Sequence, residues 1–498
     1  MKILFNSLRA ALLLCSAAFI LTGCNEDDAL NITNENNLNT ELVINDPNLQ
    51  EQAVIATYSP SQTIGMYGRF GFWMEDHMGD ELQLAIDQPT LQRISDHLLD
   101  GSTEANTKFY IALFQGVARA NNVITSVGDW NGDAEKLRQL DAEGRFMRAF
   151  YYYYLVVRFG EVPLQLGLDT EFKPKSPIGP IWDLIVEDLT FAADNLPTKN
   201  QQQIGRPTNE TAAAFLGRAY LHREQWQEAY DAFDRVVSYS LSDEYVDNFN
   251  TAGEYNDESL FEIGFLADAP ANDAWGSENG AGNVETSFRS VEYSGWSNAR
   301  PSDIIYVEAY EEGDPRKDET WWEPGDVFGG EAGLIWGTDA GTDGRFGGPR
   351  SGVITSRKYS EYIENTGQTT EGGVNPRIMR YADVLLMKAE AALRLNRLDE
   401  AVSLMNEVRA RPSVNMPPYG SFDTDIAGYP VNTAEEIFNA LVHERQVELA
   451  MEGKRIVDLQ RWGIDVEVLQ RIKSNYTSER RYLPIPARQV DTNPFIGG

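Results

Sequence analysis

Residues 212–241 place Leu216-Gly217, Tyr220, Ala229, Phe233 and Val236 at the offsets of two short helices that face each other. Paired helices approach closely only where small side chains line the contact, and Gly217 and Ala229 supply them. A hairpin of this kind cannot bury its apolar faces alone, so it must stack against further pairs. Residues 380–409 repeat the design more loosely. Leu385, Ala389, Ala392 and Leu395 form one stripe, Ala401, Met405 and Val408 the answering one, and Asn396-Arg397-Leu398-Asp399 the turn. Helical spacing recurs in residues 108–127 (Phe109, Leu113, Val117, Ala120) and in 135–159, which contains a dense aromatic block at 146–154. Pro180 stands where it could open a helix over 181–196, and Pro197 where it would stop one.

The offsets in 212–241 are those of a tetratricopeptide repeat. The expected fold is therefore mainly α, a tetratricopeptide-like helical-repeat scaffold with a large loop-rich, aromatic-rich insertion region. That insertion is expected from a change of composition: between about 251 and 373, Gly, Asp and Trp accumulate and helical periodicity stops. Five of the ten tryptophans fall there, Trp275, Trp296, Trp321, Trp322 and Trp336. Glycine-rich backbone around large rings favours loops that present flat surfaces. Disordered segments are poor in aromatics, so this one is expected to be ordered.

The N-terminus reads as an export signal. Lys2 and Arg9 precede an apolar run over 10–21, too short to span a membrane, followed by Leu21-Thr22-Gly23-Cys24. This tetrapeptide resembles the lipobox of bacterial lipoproteins, in which the cysteine is acylated and becomes the first residue. Asn25-Glu26-Asp27-Asp28 resembles the surface-export signal of Bacteroidetes lipoproteins. The expected organisation is a signal peptide over 1–23, an anchor and tether over 24–47, and a body over 48–498. Within the body the scaffold covers about 48–250 and 374–498. Of the two cysteines, Cys15 leaves with the signal and Cys24 takes the lipid, so no thiol remains for a disulfide, a metal or catalysis. The fold must hold by burial alone, which a body of this length permits. The formal charge of −34 becomes two units more negative once Lys2 and Arg9 are removed. Such a surface disfavours nucleic acid and anionic membrane as partners.

Several motifs in order carry a more specific resemblance. Residues 143–155 (EGRFMRAFYYYYL) with 158–163 (RFGEVP), 308–316 (EAYEEGDPR), 381–409, 444–463 (ERQVELAMEGKRIVDLQRWG), and 482–486 (YLPIP) with 491–494 (DTNP) resemble successive signatures of the SusD/RagB family of outer-membrane nutrient-binding lipoproteins. The resemblance implies a SusC-like TonB-dependent outer-membrane barrel as partner and uptake of a glycan, or in some members a peptide, as role. One stretch departs from the pattern. Many glucan-binding members carry an aromatic-bearing Gly-Asp-rich loop before the helix corresponding to 108–127, whereas residues 87–96 here contain no aromatic.

Nothing in the chain points to catalysis. The histidines, His77, His97, His222 and His443, form no His-Glu-x-x-His pair, and no nucleophile elbow or phosphate loop occurs. No cofactor is expected. The turn Asp339-Ala-Gly-Thr-Asp343-Gly344 offers oxygen ligands for calcium but lacks the rest of an EF-hand loop. Residues 444–463 read as framework: Val447, Leu449, Ala450, Ile456 and Leu459 are packing positions, and Trp462 precedes a capping Gly463. Arg445 with Glu448, and Arg455 with Asp458, have the spacing of helix-surface ion pairs. The Tyr151–Tyr154 run likewise reads as packing. Ligand contact is expected instead from loop rings, because sugars stack apolar C–H faces on indole while nearby polar groups bind hydroxyls. The leading candidates are Tyr293, Trp296 and Asn298, with Gly295 letting the backbone bend. Trp275, Trp321 and Trp322 follow, and Arg69 and Trp73 are placed as an N-terminal wall. Peptide capture would suit a groove with fewer exposed rings. A structural or adhesive repeat protein would bury the Trp-rich loops.

Overall fold

The computed structural model describes residues 40–83, 88–168, 171–266, 286–336, 353–363 and 372–496. Cys24, Trp275 and the 339–344 turn lie outside these residues. Long helices dominate, and their ends follow local chemistry. Helices α1 (Glu104–Ser126) and α2 (Ala134–Phe159) form the first long pair; the Asp133 carboxylate caps α2 by accepting from the Glu135 and Lys136 amides. Helix α3 (Ile178–Asn195) ends where Leu196 turns extended before Pro197. Thr208 caps α4 (Asn209–His222), which pairs with α5 (Trp226–Phe233). The second half comprises α6 (Tyr381–Arg394), α7 (Leu398–Arg409), α8 (Ala434–Glu448) and α9 (Arg455–Trp462). A capping box of Thr433 and Glu436 opens α8, and Gly463 closes α9 in the left-handed region at φ 74°.

Neighbours in this series pack in order, α1 on α2, α2 on α3, α3 on α4, α4 on α5 and α6 on α7, with α8 against both α6 and α7. Helix α5 also packs on α6, although the inserted region separates them in sequence. The repeat scaffold is therefore continuous in space and the loop-rich part is an insertion into it. The expected hairpin register holds. A Cβ on Gly217 would stand 2.5 Å from Cε1 of Phe233, so α4 and α5 meet where only glycine fits. The second helix is shorter than the pattern suggests, and Val236 is buried in the turn after it. The aromatic block packs as framework: Phe146, Phe150, Tyr151 and Tyr152 have no exposed surface, and Phe150 meets Tyr151 and Tyr154 edge-on at 5.2 Å.

Inside the insertion, the described backbone forms short pieces. Strand Ser259–Glu262 pairs antiparallel with Arg377–Arg380 and ties the two ends of the region together. Trp321–Trp322 pairs with Thr355–Ser356, and Val291–Gly295 and Ile304–Ala309 are π-helical turns. Residues 87–96, which lack an aromatic, hold the helix Pro89–Ser95 with Leu91 and Ile94 buried.

The ion pairs expected on the surface of 444–463 are not formed. Helix α8 is buried around its C-terminal turns, so its charges find partners on other elements. Arg445 bonds Asp383 and Asp458, and Arg455 bonds Asp80. Glu444, Glu448 and Glu452, four residues apart, face a cluster of buried cations. Arg316 meets Glu444 at 2.6 Å and Glu448 at 3.0 Å; Arg380 meets Glu258, Glu448 and Glu452; Arg411 meets Glu258 and Glu448; Lys358 meets Glu452 at 3.0 Å. Burial alone would raise the Glu448 carboxyl, but Arg380, Arg411 and Arg316 outweigh it and hold the group far below the usual carboxylate range. Motifs remote in sequence thus close one charge network joining scaffold to insertion.

Candidate ligand site

The turn that carries Trp296 is pinned from three sides. Ser294 Oγ donates to the Ser356 carbonyl at 2.7 Å and Thr355 Oγ1 to the Ala299 carbonyl at 3.0 Å. Gly295 is required for space rather than for bending, since a Cβ there would lie 2.3 Å from the Tyr362 hydroxyl oxygen. After the π-helical turn, the Trp296 amide donates back to the Val291 carbonyl, and Ser297 takes a left-handed φ of 56°. Backbone strain of this kind in a non-glycine residue persists only where the surroundings enforce it. The result is a half-buried Trp296 packed against the core with part of its surface exposed. Asn298 follows, mostly buried, with its Nδ2 shielded from solvent and bonded to no protein group.

Behind this turn lies a closed cluster. Arg69 reaches Glu292 through Nε at 2.6 Å and Nη2 at 2.5 Å, with its guanidinium 4.7 Å from the centre of the Trp73 ring. Burial pushes the Glu292 carboxyl up to about 7, against the opposing pull of Arg69. Tyr293 donates to the Phe72 carbonyl at 3.0 Å and to Asp76 at 3.1 Å, its ring edge-on to Phe72 at 5.1 Å. Tyr293 and Trp73 therefore brace the turn from inside, with no ring face toward solvent.

The neighbouring tryptophans differ from their expected role for the same reason. Trp321 and Trp322 are fully buried. Trp322 stacks on Trp336 with ring centres 4.8 Å apart, donates through Nε1 to Ser360 at 3.1 Å, and is covered by the Arg357 guanidinium at 4.6 Å. Phe328 and Tyr362 close that cluster edge-on to Trp336. Of the expected contact residues that are described, the structure brings Arg69, Trp73, Tyr293, Trp296 and Asn298 to one place and leaves Trp296 as the ring with accessible surface. Sequence reasoning missed Glu292, whose sole local signal was an acid beside Tyr293.

Among the described residues no group of three or more His, Cys, Asp or Glu side chains is placed to hold a metal ion. His77, His97 and His443 are buried, and burial with nearby cations drives His77 and His97 down to about 3. No described helix is long and apolar enough to cross a membrane.

Comparison with known proteins gives these features a family. The model described as "SusD family" matches residues 226–496, and that described as "Starch-binding associating with outer membrane" matches 30–221. SusD-like protein P2 of Formosa agariphila is 28% identical over 414 residues, covering 77% of this chain and 78% of its own. A SusD superfamily protein of Bacteroides vulgatus is 26% identical, with a TM-score of 0.74 over 91% of this chain and 98% of its own. A laminarin-binding SusD-like protein superposes with a TM-score of 0.73 at 23% identity, over 91% and 98% of the two chains. The motifs running from residue 143 to 494, the helical-repeat scaffold and its looped insertion thus belong together: this chain is a member of the SusD family.

Proposed function

We propose that this protein is a lipid-anchored surface lipoprotein of the outer membrane that captures an oligosaccharide and delivers it to a TonB-dependent transporter of the SusC type. The observation that carries the reading is the run of family matches over 30–221 and 226–496 behind a lipobox cysteine. The laminarin-binding neighbour supports a glycan as cargo. The half-buried Trp296 ring, held by a pinned turn, supports the same reading, because it is an apolar face on which such a ligand can stack. The role is binding rather than catalysis.

Peptide capture is the second reading, and one observation favours it. Tyr293, Trp73, Trp321 and Trp322 are internal, so the described surface has fewer free rings than a sugar cradle would use. The same burial fits a structural or adhesive repeat protein. A combined glycan and peptide array probed with the full chain in detergent separates the three. Binding to a glycan class and to no peptide is the expected result; peptide binding alone supports the second reading, and no binding on either surface supports the third.

A further inference from the structure

A cavity of about 280 Å³ is built from elements other than the turn of Trp296. It lies between the connection from α3 to α4 and the segment running from Tyr239 to Glu262. Its floor is apolar and aromatic, with Tyr239, Leu260 and Phe261 buried. The charges on its wall are answered within the protein. Lys199 meets Asp257 at 2.9 Å, Arg206 is bonded to Glu143 and Glu51, and Glu262 faces Arg377 at 3.3 Å.

What the wall offers a ligand is therefore neutral. The Ser259 hydroxyl is shielded from solvent and has no protein partner. Asn200 and Gln203 present exposed amides at the rim. Tyr255, 39% exposed as a residue, and Ile204, 84% exposed, add apolar surface. Tyr255 holds a left-handed φ of 55°, unusual for a bulky residue, and its amide is fixed to Glu262 Oε1 at 2.8 Å. A charged ligand would be desolvated here without a free counter-charge. A ring with an apolar face and hydroxyls round its edge would match both the aromatic side and the scattered neutral hydrogen-bonding groups. The volume sits at the small end of ligand pockets, which run from roughly 300 to 1,000 Å³, and so suits one ring rather than a chain.

We propose that this cavity is a second binding site that takes a single neutral sugar ring. It stands independently of the Trp296 site. The test is saturation-transfer NMR on the full chain in detergent, with methyl α-glucoside, methyl β-galactoside and N-acetylglucosamine as probes and N-acetylglutamine amide as the non-sugar comparison. The expected result is transfer to at least one sugar, unchanged in Trp296→Ala and weakened by up to about tenfold in Tyr255→Ala, the range of one stacking ring. Asn200→Ala, an exposed change that leaves the fold untouched, should weaken it in the same direction. Three results would overturn the proposal: no transfer to any sugar, transfer to the glutamine amide alone, or sugar signals that vanish in Trp296→Ala while persisting in Tyr255→Ala and Asn200→Ala. The last would place all sugar binding at Trp296 and leave the proposed function standing.

Discussion

At the scale of single residues, the difference between Trp296 and Trp322 governs what mutation should do. Trp296 keeps part of its surface exposed, so Trp296→Ala should weaken binding of the best array ligand by up to about tenfold and lower the thermal midpoint less than Trp322→Ala does. Trp322 is sealed between Trp336, Arg357 and Ser360, so Trp322→Ala should cost about 3–5 kcal/mol of stability. Calorimetry and melting curves on both variants check the pair, and a reversed pattern would refute the assignment. Glu292 offers a second residue-scale prediction. Its carboxyl is raised from 4.5 to about 7 in the folded protein, so folding takes up a proton. The stability from the neutral acid is complete below about 4.5 and is lost as pH rises through about 7. Glu292→Gln should therefore gain on the parent between pH 5 and pH 8 in urea midpoints; a constant difference would contradict the shift. That rings and polar groups gather in the insertion was legible in its composition. Which rings face solvent was not, because the partners of Trp322 and Tyr293 come from residues 336, 357, 360, 72 and 76, and no local pattern encodes those meetings.

At the scale of elements, the repeat register was readable because it rests on local spacing. Gly217 answers Phe233 within one hairpin, and periodicity reports such contacts directly. Gly217→Leu should overpack the joint of α4 and α5 and cost at least about 1–3 kcal/mol, read as a lower thermal midpoint with helical content retained. An unchanged midpoint would mean the two helices are not locked at that point. Helix α8 shows where spacing misleads. Arg445 and Glu448 have the offsets of a surface pair, yet the helix is enclosed, and enclosed charges select partners by three-dimensional proximity rather than by turn of helix. The sequence offered one overlooked hint: Glu444, Glu448 and Glu452 recur every four residues through a stretch that also holds the buried Val447, Leu449, Ala450 and Met451, so these acids enter the interior with their apolar neighbours.

At the scale of the whole molecule, two attachments matter, one to the membrane and one between the parts of the body. The proposed lipid at Cys24 supplies the first, so Cys24→Ala should move the protein from the membrane to the soluble fraction, and unchanged fractionation would refute the anchor. The second is the buried charge network. A repeat scaffold held only by nearest-neighbour contacts could lose its helices and its insertion in separate steps. Here Arg316 and Lys358 from the insertion, Arg380 at its base, Glu258 at the other end of that base, and Glu444, Glu448 and Glu452 beside or within α8 are bonded as one set. Glu448 is its centre, shared by Arg316, Arg380 and Arg411. Removing it leaves three buried guanidiniums short of an acid, a loss of about 3–5 kcal/mol for a broken buried pair. The parent should therefore melt with far-ultraviolet circular dichroism, reporting helices, and near-ultraviolet dichroism, reporting packed rings that include Trp321, Trp322 and Trp336 of the insertion, changing together. Glu448→Ala should lower both transitions by the same amount. The folded carboxyl lies below its unfolded value of 4.5, so its stabilisation is present above that pH and fades as pH falls. The gap between parent and Glu448→Ala should accordingly narrow on acidification. If the tryptophan signal falls early in Glu448→Ala while the helical signal holds, the insertion is an independent unit and the network does not couple the two parts.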